Sequence, residues 1–149
     1  MIWKPNVTVA SIVELDSKFL MVEEKSPNGA VLNQPAGHLE PNESIEAAVV
    51  RETLEETGYR FTPDAVVGSY LWHNGDNETT YFRTTFSGSV CDQTIETKLD
   101  AGIIRALWMT HEEILADKQR LRSPIILESI NDYLAGKCYP LDMIKCYIK

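Results

Sequence analysis

The chain has 149 residues, 44% of them hydrophobic and 24% charged, a balance that suits one globular domain with a sizeable core. Its net charge of −8 disfavours tight non-specific binding to nucleic acid or to an anionic membrane. The N-terminus MIWKPNVTVA lacks a basic segment followed by an apolar run, and no window approaches 18 consecutive apolar residues, so neither a signal peptide nor a membrane span is expected.

In chain order, the β-branched stretch from Asn6 to Leu15 predicts a strand. Asp16-Ser17 predicts a turn, and Lys18 to Val22 a second strand, together a hairpin. Glu23, Glu24 and Lys25 read as surface charges, with substrate contact at the sheet edge as the alternative. Ser26-Pro27-Asn28-Gly29 is a turn signal, and Ala30 to Asn33 returns as a short strand. It leads into a loop, Gln34-Pro35-Ala36, and then Gly37.

From Glu43 to Thr57 the pattern predicts a helix, with Asn42 as N-cap and Gly58 as the left-handed residue that ends it. Ala47, Val50 and Leu54 form one stripe, the expected core face. Glu52, Glu55 and Glu56 fall on another, close enough to repel one another. Five acids occupy the stretch Glu43–Glu56, with only Arg51 to offset them. Two accounts compete. One is a solvated acidic face. The other is a site for a hard cation such as Mg²⁺, which takes oxygen ligands and would turn the clustering to use.

Beyond Gly58 come a short strand, a turn at Pro63-Asp64, and strands from Val66 to His73 and Thr79 to Phe86 about the turn Asn74-Gly75-Asp76-Asn77. These strands carry Tyr70, Trp72, Tyr81 and Phe82, expected mainly in the core. The stretch Cys91 to Leu99 reads as a polar loop, followed by a strand from Ile103 to Met109. Thr110 with Glu113 forms a capping box for a short helix to about Asp117. Ser123-Pro124 opens a last helix that Gly136 ends. The tail from Tyr139 to Ile144 is apolar enough to pack back. Cys91, Cys138 and Cys146 lack metal-like spacing and read as free thiols in a reducing cytosol, so a cytoplasmic location is expected.

The helix and its flanks decide between the two accounts. Gly37, Glu43, Arg51, Glu52, Glu55, Glu56 and Gly58 fill every fixed position of the Nudix box: Gly, five residues, Glu, seven residues, Arg-Glu, two residues, Glu-Glu, one residue, Gly. Thr53 departs from the aliphatic residue usual there. The chain therefore resembles the Nudix hydrolases. LNQPAGHLE at Leu32–Glu40 and LRSPIILESINDYLAGKCYPLDMI at Leu121–Ile144 resemble the bacterial NudJ-type phosphatase subgroup.

The resemblance implies an α/β/α sandwich with a mixed β-sheet, as a single domain spanning residues 1–149. It implies Mg²⁺-dependent hydrolysis, with Mn²⁺ as the other metal, of phosphoanhydride bonds. Implied substrates are nucleoside di- and triphosphates and thiamine-pathway pyrophosphates (hydroxymethylpyrimidine pyrophosphate and thiamine pyrophosphate). An oxidised-nucleotide sanitiser, a dinucleoside polyphosphate hydrolase and a non-catalytic ligand sensor are the rival readings. Carried over residue by residue, Glu52, Glu55 and Glu56 with the Gly37 carbonyl are the expected metal ligands. Arg51 orients the carboxylates, and Glu43 braces Arg51 or the loop. The general base is expected among Glu52, Glu55, Glu96 and Asp100. Arg83 and Gln34 are the expected substrate contacts. The partner is a small-molecule nucleotide or pyrophosphate, acted on by a monomer or dimer.

Overall fold

A computed structural model describes residues 1–91, 93 and 98–148. Its strands are β1 (Asn6–Ile12), β2 (Glu14–Leu15), β3 (Lys18–Ser26), β4 (Gly29–Asn33), β5 (Ala36–His38), β6 (Arg60–Asn74), β7 (Thr79–Cys91) and β8 (Ile103–Thr110). Its helices are α1 (Ile45–Thr57), α2 (His111–Ala116) and α3 (Pro124–Leu134).

The strands form two four-stranded sheets. One has the order β5-β1-β7-β6, and is mixed because β1 runs parallel to β7. In the other, β3 pairs with β2 and β4 along one edge and with β8 along the opposite edge. The period of two along the strands sorts side chains to opposite sides. From β1 and β3, Val9 and Leu20 pack with Ala48 and Val49 of α1, beside Phe61, Val66 and Phe86. Ile12, Phe19 and Met21 pack the other way, against Ile114 of α2 and Ile126 and Ile130 of α3. Helices therefore cover both faces, and the expected α/β/α sandwich is present.

Four local expectations are corrected. The first concerns the start of α1. The helix begins at Ile45, and Ser44 is its N-cap, with its hydroxyl accepting the Ala47 N–H at 3.1 Å. Asn42 instead takes a left-handed conformation, φ 63°, in the preceding turn. Gly58 closes the helix as expected at φ 78°, donating its N–H to the Leu54 carbonyl.

The second concerns the buried face of α1. Ala48, Val49, Glu52, Thr53, Glu56 and Thr57 are buried, while Ala47 is exposed and Val50 and Leu54 are half-buried. A stripe sought by hydrophobicity misses this because the helix turns two carboxylates inward. Thr53 fits that face: its hydroxyl donates to the Val49 carbonyl at 2.8 Å and accepts from Ser11 of β1 at 2.9 Å. The departure from an aliphatic residue is thus matched by a polar partner in the facing strand.

The third correction is at Pro63-Asp64, where the chain does not turn. β6 runs through, with irregular pairing between Pro63 and Ala65 and between Val66 and Gly68. Bulges of this kind absorb a proline without ending the strand. The fourth is at Glu24, expected on the surface and found 8% exposed.

The remaining elements follow expectation. Thr110 and Glu113 make a reciprocal capping box, and Pro124 sits in the first turn of α3. The tail returns to the sheet, where Tyr139 and Val66 exchange backbone hydrogen bonds of 2.8 Å. The three cysteines are free and exposed. Glu96 lies outside the described residues.

Candidate active site

A cleft of about 450 Å³ opens where α1, the loop before it and the ends of β3, β4, β6 and β7 meet. Gly37, Glu52, Glu56 and Asp100 line it, with Glu24, Arg83 and Arg122.

Arg51 organises the acidic side. Its Nε and Nη2 donate to the two oxygens of Glu43 at 2.8 and 2.7 Å, a bidentate pair. Nη1 reaches Glu52 at 2.6 Å and Glu55 at 3.2 Å, and Nη2 also reaches the His38 carbonyl at 3.0 Å. Glu43 in turn accepts the Glu40 N–H at 2.8 Å, so it braces both the arginine and the loop. These bonds push the Glu43 carboxyl below its usual range and hold the Arg51 guanidinium protonated. One cation thus sets the rotamers of three acids. Arg51→Met is expected to destabilise the metal-free protein by about 2 kcal/mol, the scale of charge-assisted bonds lost at a half-buried site. Urea unfolding with and without divalent metal would measure this, and metal is expected to recover part of the loss.

Glu56 lies deeper. One of its oxygens accepts the Ala36 N–H at 2.8 Å. Burial, with Glu24, Glu52 and Asp100 nearby, pushes its carboxyl up to about 9 despite that bond. Burial also raises Glu52, against the pull of Arg51. Asp100 is pinned to the site by its N–H, which donates to the Glu55 carbonyl at 3.0 Å. Glu52, Glu55 and Asp100 each offer a carboxylate oxygen, all within 4.8 Å of one another.

This set fits a divalent cation. The donors are all oxygen, as Mg²⁺ prefers. Gly37 packs so tightly on the Glu52 carboxyl that a Cβ there would overlap it. An acid held uncharged by burial is one that a cation would ionise. A stability prediction follows from the sign of the Glu56 shift. In the metal-free protein Glu56 keeps its proton up to about 9, whereas in the unfolded chain it loses it near the usual 4.5. The native state then binds more protons across that window, so stability falls as pH rises through it. The melting temperature in chelator is expected to drop between those pH values, and saturating Mg²⁺ to raise it most at the alkaline end. A flat profile in chelator would contradict the burial of Glu56.

The rest of the lining includes cations and aromatics. The Nε and Nη1 atoms of Arg83 are out of solvent and meet no acceptor among the described residues. Burial lowers its pKa to about 10, with Glu24 and Glu56 acting against this. Trp72 and Tyr81, opposite one another on β6 and β7, stack at 5.6 Å and 19° at the rim, with His38 beside Tyr81 at 6.5 Å. These aromatics, expected mainly in the core, therefore flank the cleft.

Gln34 is placed elsewhere. Its side chain is buried and donates to Ser129 of α3 at 2.9 Å, so it ties the loop to the helix rather than facing the cleft. Sequence reasoning also missed Asn33, Arg122 and Ser123, which line the cleft. The LRSP run was the available signal for the last two, though it marked only a subgroup.

The NUDIX domain family matches residues 4–129. The chain is a Nudix hydrolase. Phosphatase NudJ of Escherichia coli K12 is 41% identical over 143 residues, 95% of this chain and 92% of that protein. A NUDIX hydrolase structure from Nitrosomonas europaea superposes with a TM-score of 0.94 at 51% identity, covering 97% of this chain and 98% of that one. The MutT protein of Methanosarcina mazei Go1, at 24% identity and a TM-score of 0.73 over 92% of this chain and 99% of its own, shares the fold. Membership makes the chain a phosphohydrolase acting on pyrophosphate bonds. None of the described helices is long and apolar enough to cross a membrane.

Proposed function

We propose that this Nudix hydrolase is a Mg²⁺-dependent, NudJ-like phosphatase. It would cleave the phosphoanhydride bonds of nucleoside di- and triphosphates and of thiamine-pathway pyrophosphates, as one catalytic domain working in the cytoplasm. The observation that carries the reading is the meeting, in one cleft, of an Arg51-braced carboxylate cluster with Arg83, whose Nε and Nη1 are out of solvent and unpaired among the described residues. The free cysteines suit a reducing compartment.

Phosphoryl transfer needs positioning and charge neutralisation more than covalent help. Glu52, Glu55 and Glu56, with the Gly37 carbonyl and Asp100, would hold the cation. When bound, the ion lowers the pKa of a coordinated water and neutralises charge on the phosphate oxygens. Glu52 or Glu55 takes the proton from the attacking water. Glu55, less buried and held only at 3.2 Å by Arg51, has the greater freedom to do so. Arg51 keeps both carboxylates in place. Arg83 receives phosphate charge, and the Trp72–Tyr81 pair offers a flat face to a heterocycle.

The test is a substrate panel with Mg²⁺: GDP, GTP, thiamine pyrophosphate and a dinucleoside tetraphosphate, with orthophosphate and pyrophosphate assayed separately. Orthophosphate from the diphosphates is expected. Pyrophosphate from GTP, with the diphosphates untouched, would discard the NudJ-like assignment and favour a sanitiser of altered nucleotides.

A further inference from the structure

Three polar groups in the cleft have buried atoms with no hydrogen-bond partner among the described residues: Thr8 through Oγ1, Arg83 through Nε and Nη1, and Ser123 through Oγ. Buried polar atoms are rarely left unpaired, and each orphan costs free energy. Arg83 and Ser123 line the cleft together with Arg122, and the charges of Glu24, Glu56 and Arg122 all act on Arg83.

Arg122 is not free in this state. Its Nη1 donates to Glu24 at 2.7 Å, and Glu24 also accepts from Asn33 at 3.5 Å. Glu24 is buried, whereas the Arg122 side chain is 54% exposed, so the guanidinium is the partner able to move. The segment that carries it is fixed. The Arg122 N–H donates to the Leu32 carbonyl at 2.9 Å, and Leu121 bridges to Leu32. A rigid backbone therefore presents a mobile cation beside two orphaned donors.

We propose that Arg83, Ser123 and Arg122 form an anion subsite for a phosphate group of the substrate, and that Glu24 is a place-holder that occupies Arg122 until that phosphate arrives. The orphaned Arg83 and Ser123 atoms are out of solvent in this state, so a phosphate reaches them as it draws Arg122 from Glu24 and the side chains shift. The chemical class is a phosphate or pyrophosphate group, whose oxygens suit two guanidiniums and a hydroxyl.

The inference rests on the hydrolase reading for its use, but its test needs no turnover. Calorimetric binding of inorganic phosphate is measured in excess chelator on the full chain. Wild type is expected to bind. Arg122→Ala, a change at an exposed side chain, is expected to weaken binding about tenfold, the scale of one charge-assisted contact. Ser123→Ala, a smaller and buried change, should weaken it less. Glu24→Gln is expected to strengthen binding several-fold in the wild-type background and to have no such effect alongside Arg122→Ala. Equal strengthening in both backgrounds would reduce Glu24 to general repulsion and overturn its place-holder role. Undiminished phosphate affinity in Arg122→Ala and Ser123→Ala would overturn the subsite. Either failure leaves metal-dependent hydrolysis untouched, whereas loss of hydrolysis on the substrate panel leaves the phosphate titration standing.

Discussion

Glu56→Gln is expected to lower turnover by about a thousandfold while leaving the metal-free protein at least as stable as wild type. The two effects come from one cause. Glu56 is 7% exposed, and burial holds its carboxyl up to about 9. A glutamine keeps an oxygen to accept the Ala36 N–H at 2.8 Å and carries no charge to desolvate. Folding therefore loses nothing, and it gains increasingly as pH rises above the usual 4.5. On the proposed assignment, catalysis loses a carboxylate charge beside the Glu52, Glu55 and Asp100 cluster. Electrostatic help from a bound metal is worth several kcal/mol, and each 1.4 kcal/mol is about tenfold in rate. Turnover at saturating Mg²⁺ and melting temperature in chelator would be measured side by side. Wild-type turnover would remove Glu56 from the metal site. A lower melting temperature in chelator at alkaline pH would show that its burial is not the strain described above.

Gly37→Ala is expected to cost about a hundredfold in kcat/KM with little change in global stability. The reason is a contact and not a turn: Gly37 does not take a left-handed conformation. Its Cα faces the Glu52 carboxyl, and an added methyl would occupy the space that carboxyl now fills. Glu52 must then swing away, while Arg51 continues to hold Glu43 through two bonds. A displacement of about 1 Å in a catalytic group is enough for a loss of this size. Raising Mg²⁺ should recover part of the activity, because what is lost is geometry rather than charge. Full activity at low Mg²⁺ would mean that Glu52 does not work from its present position.

Much of the acidic half of the site was legible from spacing. The distances between Gly37, Glu43, Arg51, Glu52, Glu55 and Glu56 lie within one helix and its entry loop, so a local pattern encodes them. The boundaries of that helix were less legible. Asn42 has the chemistry of an N-cap, but Ser44, two residues on, holds that place once the loop must bring Glu43 to Arg51. The inward turn of Glu52 and Glu56 reversed the expected core face, because hydrophobicity cannot rank a buried carboxylate that waits for a cation.

The basic half was legible only in part. Arg83 stood out as a cation among the aromatics of a strand. Glu24 and Arg122 lie 98 positions apart, and nothing local in either stretch shows that they meet. Their pairing depends on the Leu121–Leu32 bridge, which is a property of the fold. Gln34 illustrates the converse. It was an expected substrate contact, but the side chain points to α3 and bonds Ser129.

The Arg51-braced acids are proposed to work through a divalent cation on a phosphoanhydride. The most direct measurement is orthophosphate release from GDP at neutral pH, with Mg²⁺ and then with excess chelator. Steady release with Mg²⁺, arrest by chelator and recovery when Mg²⁺ is restored are expected. Release that continued undiminished in chelator would contradict that proposal.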